Sequence, residues 1–311
     1  VANMQIKAGG TVNGICSAKV SEAEVMVQGG MTDVLIANQV VSKEKISRMC
    51  ALAKNADIKV CVDNHHNLYD LSSEASKQCV SIGVLIEVDT SMGRAGVRNV
   101  SEAVALATIA VDLPGIEFKG VMSHQGISGV PDSVTRKRKA RDYIQQCLEA
   151  KDAIESAGID VEVVSSGETW SYDVAGSMPG VTEVEGGTYA LMGTRSGYMN
   201  EFKIANKILA TIISKPSPGK AVADIGLRAL PVREGALPAI DESITGVEVE
   251  SILEEHIVLN TEAAPDIELG DKIVLLPWDQ DTLVNRWDYF VLVRGGVVVN
   301  VLPIPGRGCF H

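Results

Sequence analysis

Between Val12 and Met192 the chain repeats one unit: a short apolar run rich in β-branched residues, a small polar loop, and a stretch with apolar residues at helical spacing. The clearest copy is Val84–Val97, VLIEVDTSMGRAGV, where an apolar run leads into Glu87, Val88 and Asp89 and breaks at Gly93, Arg94 and Gly96. Asn99–Leu113 follows with helical spacing. A run that is apolar on both faces is how a buried parallel strand reads. Strand, loop and helix in strict alternation therefore call for a parallel sheet covered by helices.

The remaining strand-like runs of this part are Val12–Ala18, Asp33–Gln39, Ile58–Asp63, Ile116–His124, Val161–Ser165 and Val184–Met192, making seven in all. Helical patterns lie between them at Val20–Gly30, where Ser21 and Glu24 fit a capping box, and at Ser42–Ala56, Leu68–Cys79 and Ser133–Ala157. Val1–Gly10 reads as the last turns of a helix stopped by Gly9 and Gly10. Seven strands after an orphan helix are one short of a (β/α)8 TIM-type barrel. The expected fold class is thus α/β, a barrel whose first strand lies before Val1. An open doubly wound sheet is the alternative, but no GxGxxG fingerprint supports it. After Ala205 the pattern changes to strands separated by turns: Ile208–Ile213, Ala221–Ile225, Gly246–Ile252, Ile257–Leu259, Lys272–Leu276, Tyr289–Val293 and Val297–Leu302. The expected division is a barrel over residues 1–205 and an all-β domain over 206–311.

A formal charge of −12 argues against nucleic acid or an anionic membrane as partner. No apolar run is long enough to cross a bilayer. The six cysteines form no CxxC pair and fall mostly inside strand and helix patterns, as reduced thiols of a cytoplasmic protein do.

In a barrel the functional residues stand where strands end. Those positions hold Asn38 and Gln39, Asp63 and Asn64, Asp89 and Arg94, His124 and Gln125, then Ser165–Gly167 and Gly186–Tyr189. The last two are small-residue loops, neighbours in barrel order. Backbone N–H groups freed by glycine, with Ser or Thr hydroxyls, make a cup for a phosphate.

The runs SAKVSEAEVM, DVLIANQVV, IEVDTSMGRAGV, VSSGETWSY and EVEGGTYALM resemble, in order, the motifs of the fold-type III pyridoxal-phosphate enzymes. The resembling branch holds D-threonine aldolase, 3-hydroxy-D-aspartate aldolase and D-serine dehydratase, and the likeness extends to ADIGLRAL and the Gly-Asp-Lys strand near residue 270. It implies an alanine-racemase-like barrel, a β-domain and a homodimer. Pyridoxal phosphate would lie with Ser166, Gly167, Gly186, Gly187, Thr188 and Tyr189 around its phosphate and Arg94 nearby. His124 stands where close relatives carry Tyr, and would stack or act as the base. In PWDQDTLVNRWDY, Asp279 and Asp281 replace the metal ligands of the P-x-H-x-C or P-x-H-x-D pattern. On an extended segment the two would share a face, and their hard oxygens suit Mg²⁺ or Mn²⁺ better than zinc. The reading without a metal is a polar turn.

The implied reaction is cleavage of a β-hydroxy-D-amino acid to glycine and an aldehyde. The alternatives are dehydration of a D-3-hydroxy amino acid on the same site, and a non-catalytic cofactor-binding homologue. The R-P-H-x-K motif that carries the family's catalytic lysine aligns before Val1. Neither Lys7 nor Lys19 is placed to substitute, so residues 1–311 alone are expected to be inactive.

Overall fold

The computed structural model describes residues 1–9, 14–233 and 235–311. It divides into an α/β unit, residues 1–186 with 309–311, and a β unit, residues 187–308.

In the α/β unit the strands are β1 (Ile15–Ser17), β2 (Asp33–Gln39), β3 (Asp57–Val62), β4 (Ile82–Glu87), β5 (Ile116–Ser123) and β6 (Val163–Ser166). They pair in parallel and in chain order, as one six-stranded sheet. The helices are α1 (Ala2–Lys7), α2 (Val20–Gln28), α3 (Lys43–Leu52), α4 (His65–Gln78), α5 (Val100–Asp112), α6 (Ser133–Ser156) and the short α7 (Tyr172–Ala175). Side chains alternate across each strand. Val34, Ile36, Val60, Val62, Val84 and Ile86 pack in the large cluster with helix residues such as Ile46, Met49, Leu68 and Leu71. Leu35, Cys61, Leu85 and Met122 form a separate buried layer from the alternate positions. Both faces are therefore buried, which is why these strands read as near-continuous apolar runs.

Helix starts follow local chemistry. Ser42, Asn64, Asn99 and Asp132 each accept a first-turn N–H with the side chain, from Lys45, His66, Glu102 and Thr135. The Ser21–Glu24 capping box does not form. Glu24 is drawn to Arg48 by two hydrogen bonds, at 2.6 and 2.7 Å, while Glu22 accepts the N–H of Ala18. The C-terminal His311 docks on α2, exchanging backbone and side-chain hydrogen bonds with Ser21. Gly120 marks a bulge in β5. Its φ is +150°, and a Cβ there would lie 1.9 Å from the carbonyl oxygen of Val163.

The seventh run, Val184–Met192, is not a strand. Thr182–Glu185 bonds to Val164–Gly167 through four backbone hydrogen bonds, and the chain then leaves the sheet. Gly187 has ψ −41°, and Thr188–Ala190 forms a 3₁₀ turn. The glycine pair releases the backbone from extended geometry before the apolar residues that suggested a strand. The described residues thus contain six parallel strands. Of the other sequence expectations, Gly10 and the first two residues of Val12–Ala18 lie outside the described residues.

The β unit contains β7 (Ile208–Ser217), β8 (Lys220–Ala223), β9 (Ala239–Ile240), β10 (Glu248–Ile252), β11 (Ile257–Asn260) and β12 (Lys272–Leu276). They form an antiparallel sheet in the order β10-β11-β8-β7-β12-β9. α8 (Gln280–Val284) follows, then a separate hairpin of β13 (Tyr289–Arg294) and β14 (Val297–Pro303). Ile208, Ile212, Leu259, Ile273 and Leu275 lie at the centre of its core. No helix among the described residues is long and apolar enough to cross a membrane.

Candidate active site

In the α/β unit the polar residues gather where the parallel strands end. Glu87 closes β4 and is buried, and Gln39, at the end of β2, donates from Nε2 to its carboxylate at 2.5 Å. Arg94 lies 3.8 Å from the other oxygen of Glu87. Burial raises the Glu87 carboxyl above its usual range, against the pull of Gln39 and Arg94.

Arg94 is held by a loop built around Asp89. That carboxylate accepts the N–H groups of Ser91, Met92 and Gly93 and pairs with Arg98. Gly96 has φ +103°, and a Cβ there would lie 2.7 Å from the N of Asp89. The glycines of the GRAG run thus serve loop geometry, and Arg94 is the residue it presents, half exposed.

His124 follows β5, with Nε2 3.3 Å from the buried Oε2 of Glu168. Burial, helped by the nearby Arg94 charge, lowers the imidazole from 6.5 to about 4. It is neutral at pH 7, and its contact with Glu168 is a polar contact with a neutral ring.

Ser166 is fully buried, and its hydroxyl is held by Ser123 at 2.8 Å and Gln125 at 3.0 Å. It locks β5 to β6. The next residue, Gly167, has φ +117°, and its Cβ position is blocked by Ala175 at 2.5 Å. Among the described residues the N–H groups of Gly167 and Gly186 donate to no protein acceptor. Two carboxylates that sequence reasoning did not single out join this set. One is Glu168; the other is Glu185, which accepts from Ser165 at 2.7 Å and from the Cys16 thiol at 3.0 Å. Burial raises Glu185 above its ordinary range. Glu168 follows the small-residue end of β6 and Glu185 precedes the Gly186-Gly187 pair, and those positions are the only sequence signal either one gives.

In the β unit, Gly187 has no heavy atom within 4 Å of its Cβ position, and its N–H is likewise uncommitted among the described residues. Thr188 Oγ1 accepts from Gln280 at 3.3 Å, and the Tyr189 ring stands 6.0 Å from Phe202. In the α/β unit the uncommitted N–H groups of Gly167 and Gly186, and in the β unit the uncommitted N–H and open space at Gly187, are each of the kind that suits a phosphate oxygen. These residues fit pyridoxal phosphate.

Asp279 and Asp281 are not on an extended segment. Asp279 is the N-cap of α8, and its Oδ1 accepts the N–H of Asp281 at 2.8 Å. Its Oδ2 accepts from Arg195 Nη1 at 3.2 Å. Asp281, in the first turn, accepts from Gln280 Nε2 at 2.9 Å, and its carboxyl is raised by burial and by Asp279. Trp278-Asp279-Gln280 starts a helix because an Asp before a helical turn satisfies an orphan N–H, which overrides strand-like alternation. Both oxygens of Asp279 are engaged, one by a cation. Among the described residues no group of three or more His, Cys, Asp and Glu converges to hold a metal ion. The pair does not fit a divalent cation.

Residues 1–194 match the family described as alanine racemase, N-terminal domain, and residues 205–293 match the putative serine dehydratase domain. The chain belongs to the alanine racemase N-terminal-domain family. It is 36% identical, over 320 residues, to the 3-hydroxy-D-aspartate aldolase of Paracoccus denitrificans (strain Pd 1222), covering 99% of this chain and 82% of that protein. It is 34% identical to the D-threonine aldolase of Arthrobacter sp, covering 95% of this chain and 79% of that one. The solved D-threonine aldolase from Filomicrobium marinum superposes with a TM-score of 0.94 at 33% identity, covering 100% of this chain and 85% of that one. The family fold is therefore the alanine-racemase type: a parallel α/β domain followed by an antiparallel β domain.

Proposed function

We propose that this protein is a pyridoxal-phosphate lyase that cleaves a β-hydroxy-D-amino acid to glycine and an aldehyde. The observation that carries this reading is 33–36% identity, over nearly the whole chain, to aldolases of such substrates. When bound, the cofactor would take up the electron pair left at Cα as the Cα–Cβ bond breaks.

The chain's own residues supply the rest. Gly167, Gly186, Gly187 and Thr188 would hold the phosphate through N–H groups and a hydroxyl, with Ser166 fixing the loop from beneath and Tyr189 flanking it. Arg94 sets a cation at the strand ends beside Glu87, whose carboxyl is raised by burial. His124 is neutral at pH 7, with Nε2 toward Glu168. A proton held on Nε2 leaves Nδ1 with its lone pair, free to take the proton of the substrate's β-hydroxyl as that bond system collapses to the aldehyde. No step is assigned to a metal at Asp279 and Asp281. The hairpin β13–β14 exposes Tyr289, Val291 and Val293 beside their cross-strand neighbours Val298 and Val301, and this supports a homodimer in which that apolar face is covered. Residues 1–311 contain no R-P-H-x-K run, and we infer that this segment alone does not turn over substrate.

The test is incubation of the full-length protein and pyridoxal phosphate with D-threonine and with D-3-hydroxyaspartate, using the L-isomers as controls. Glycine and aldehyde from the D-isomers alone are expected. Ammonia and a 2-oxo acid as the main products would replace this reading with dehydration.

A further inference from the structure

The Asp279–Asp281 pair is managed by an arginine 84 positions away in sequence, and the way this arginine is held is specific. Gly193 lets the two backbones meet: a Cβ there would lie 2.7 Å from the carbonyl oxygen of Trp278. Thr194 and Arg195 then donate backbone N–H groups to Pro277 and Trp278, at 2.9 and 3.1 Å. The guanidinium carbon sits 5.5 Å from the centroid of the Trp278 ring, within cation–π range, and Nη1 reaches Asp279 Oδ2 at 3.2 Å. The Arg195 side chain is 28% exposed and that of Asp279 12%, so the pair is shielded from solvent.

Guanidinium keeps its proton throughout the accessible pH range and carries donors in a rigid planar fork. A dication on Asp279 would share a carboxylate with this fixed charge and be repelled by it. It would also find only one further carboxylate, Asp281, already bonded to Gln280. We propose that Arg195 takes by charge the place of a divalent cation beside Asp279, so that this chain keeps its Asp279–Asp281 pair without metal. Only the consequence, that turnover needs no metal at these residues, rests on the aldolase reading; the binding claim is measured without turnover.

The test is titration of the cofactor-free chain with Mn²⁺, following free Mn²⁺ by electron paramagnetic resonance, with circular dichroism to check folding. Wild-type protein should show no site tighter than about 1 mM, the weak end of biological divalent sites. Arg195→Gln removes the charge and should create one site at least about tenfold tighter. Adding Asp279→Asn and Asp281→Asn, which keeps a capping residue at 279, should abolish it. Arg195→Lys retains the charge and should stay empty. One Mn²⁺ bound by wild type and lost in the double Asn variant would overturn the proposal, as would binding that Arg195→Gln leaves unchanged. If Arg195→Gln does not fold, wild type against the double Asn variant decides: no wild-type site supports the proposal, and a site lost on substitution overturns it.

Discussion

Gly167 and Gly187 look alike in sequence, each in a small-residue loop, yet the structure sets opposite costs for giving them a side chain. At Gly167 φ is +117°, and a new Cβ would stand 2.5 Å from the Cβ of Ala175 and 3.3 Å from Val184. Ala175 is fully buried and cannot move aside without disturbing α7. A non-glycine residue at such a φ costs about 1–3 kcal/mol. Overpacking adds about 1–3 kcal/mol, so Gly167→Ala should lose roughly 2–6 kcal/mol. At roughly 2–4 °C per kcal/mol for a unit of this size, that is a large fall in Tm. Gly187 has φ −124° and open space around its Cβ position. Gly187→Val should therefore stay within about 0.5 kcal/mol of wild type without cofactor, as an unpacked surface change does. If that space is where the phosphate approaches, the same variant should lose at least about tenfold in pyridoxal-phosphate affinity in the full-length protein, about 1.4 kcal/mol. Urea unfolding of the cofactor-free proteins and fluorescence titration with the cofactor separate the two effects. Destabilisation of Gly187→Val equal to that of Gly167→Ala would show that the open space is not there. Unchanged cofactor affinity in Gly187→Val would place the phosphate elsewhere.

His124 is lowered to about 4 in the folded protein from 6.5, so between those values the unfolded chain holds the extra proton. Folding stability should fall as pH drops from about 6.5 to about 4 and level off below; denaturant melts at several pH values should show that slope reduced in His124→Asn. Glu185 is shifted the other way, raised by burial, so its contribution is present at low pH and lost as pH rises through its folded value. Glu185→Gln should therefore gain in Tm relative to wild type as pH is raised from 5 to 8, and a constant difference would show that the buried carboxyl carries no charge penalty. Burial pushes the Cys50 thiol to about 11 and Cys147 to about 12. Mass-mapped labelling with a thiol reagent at pH 8 should mark exposed Cys79 in native protein and reach Cys50 and Cys147 only after unfolding; native-rate labelling of either would contradict the packing of α3 or α6.

What the chain states locally, it states clearly. The apolar runs of β2 through β5 are legible because a strand buried on both faces carries apolar side chains at most of its positions. The starts of α3, α4, α5 and α6 are legible because Ser42, Asn64, Asn99 and Asp132 satisfy N–H groups two or three residues away. The strand-end rule also brought Gln39, Arg94, His124 and Ser166 into view. The failures have one physical character. Val184–Met192 has strand composition, but a strand exists only where a neighbour's carbonyls are in register, and the chain turns away at Gly186-Gly187. Asp279 and Asp281 alternate like strand residues, but the backbone at α8 and Arg195 decided where their oxygens go. Glu168 meets His124 across 44 positions and Glu185 meets Cys16 across 169. Periodicity and capping act over a few residues and can be read from the chain alone. Which buried charge faces which partner depends on distant segments converging, and only the packed structure sets that distance.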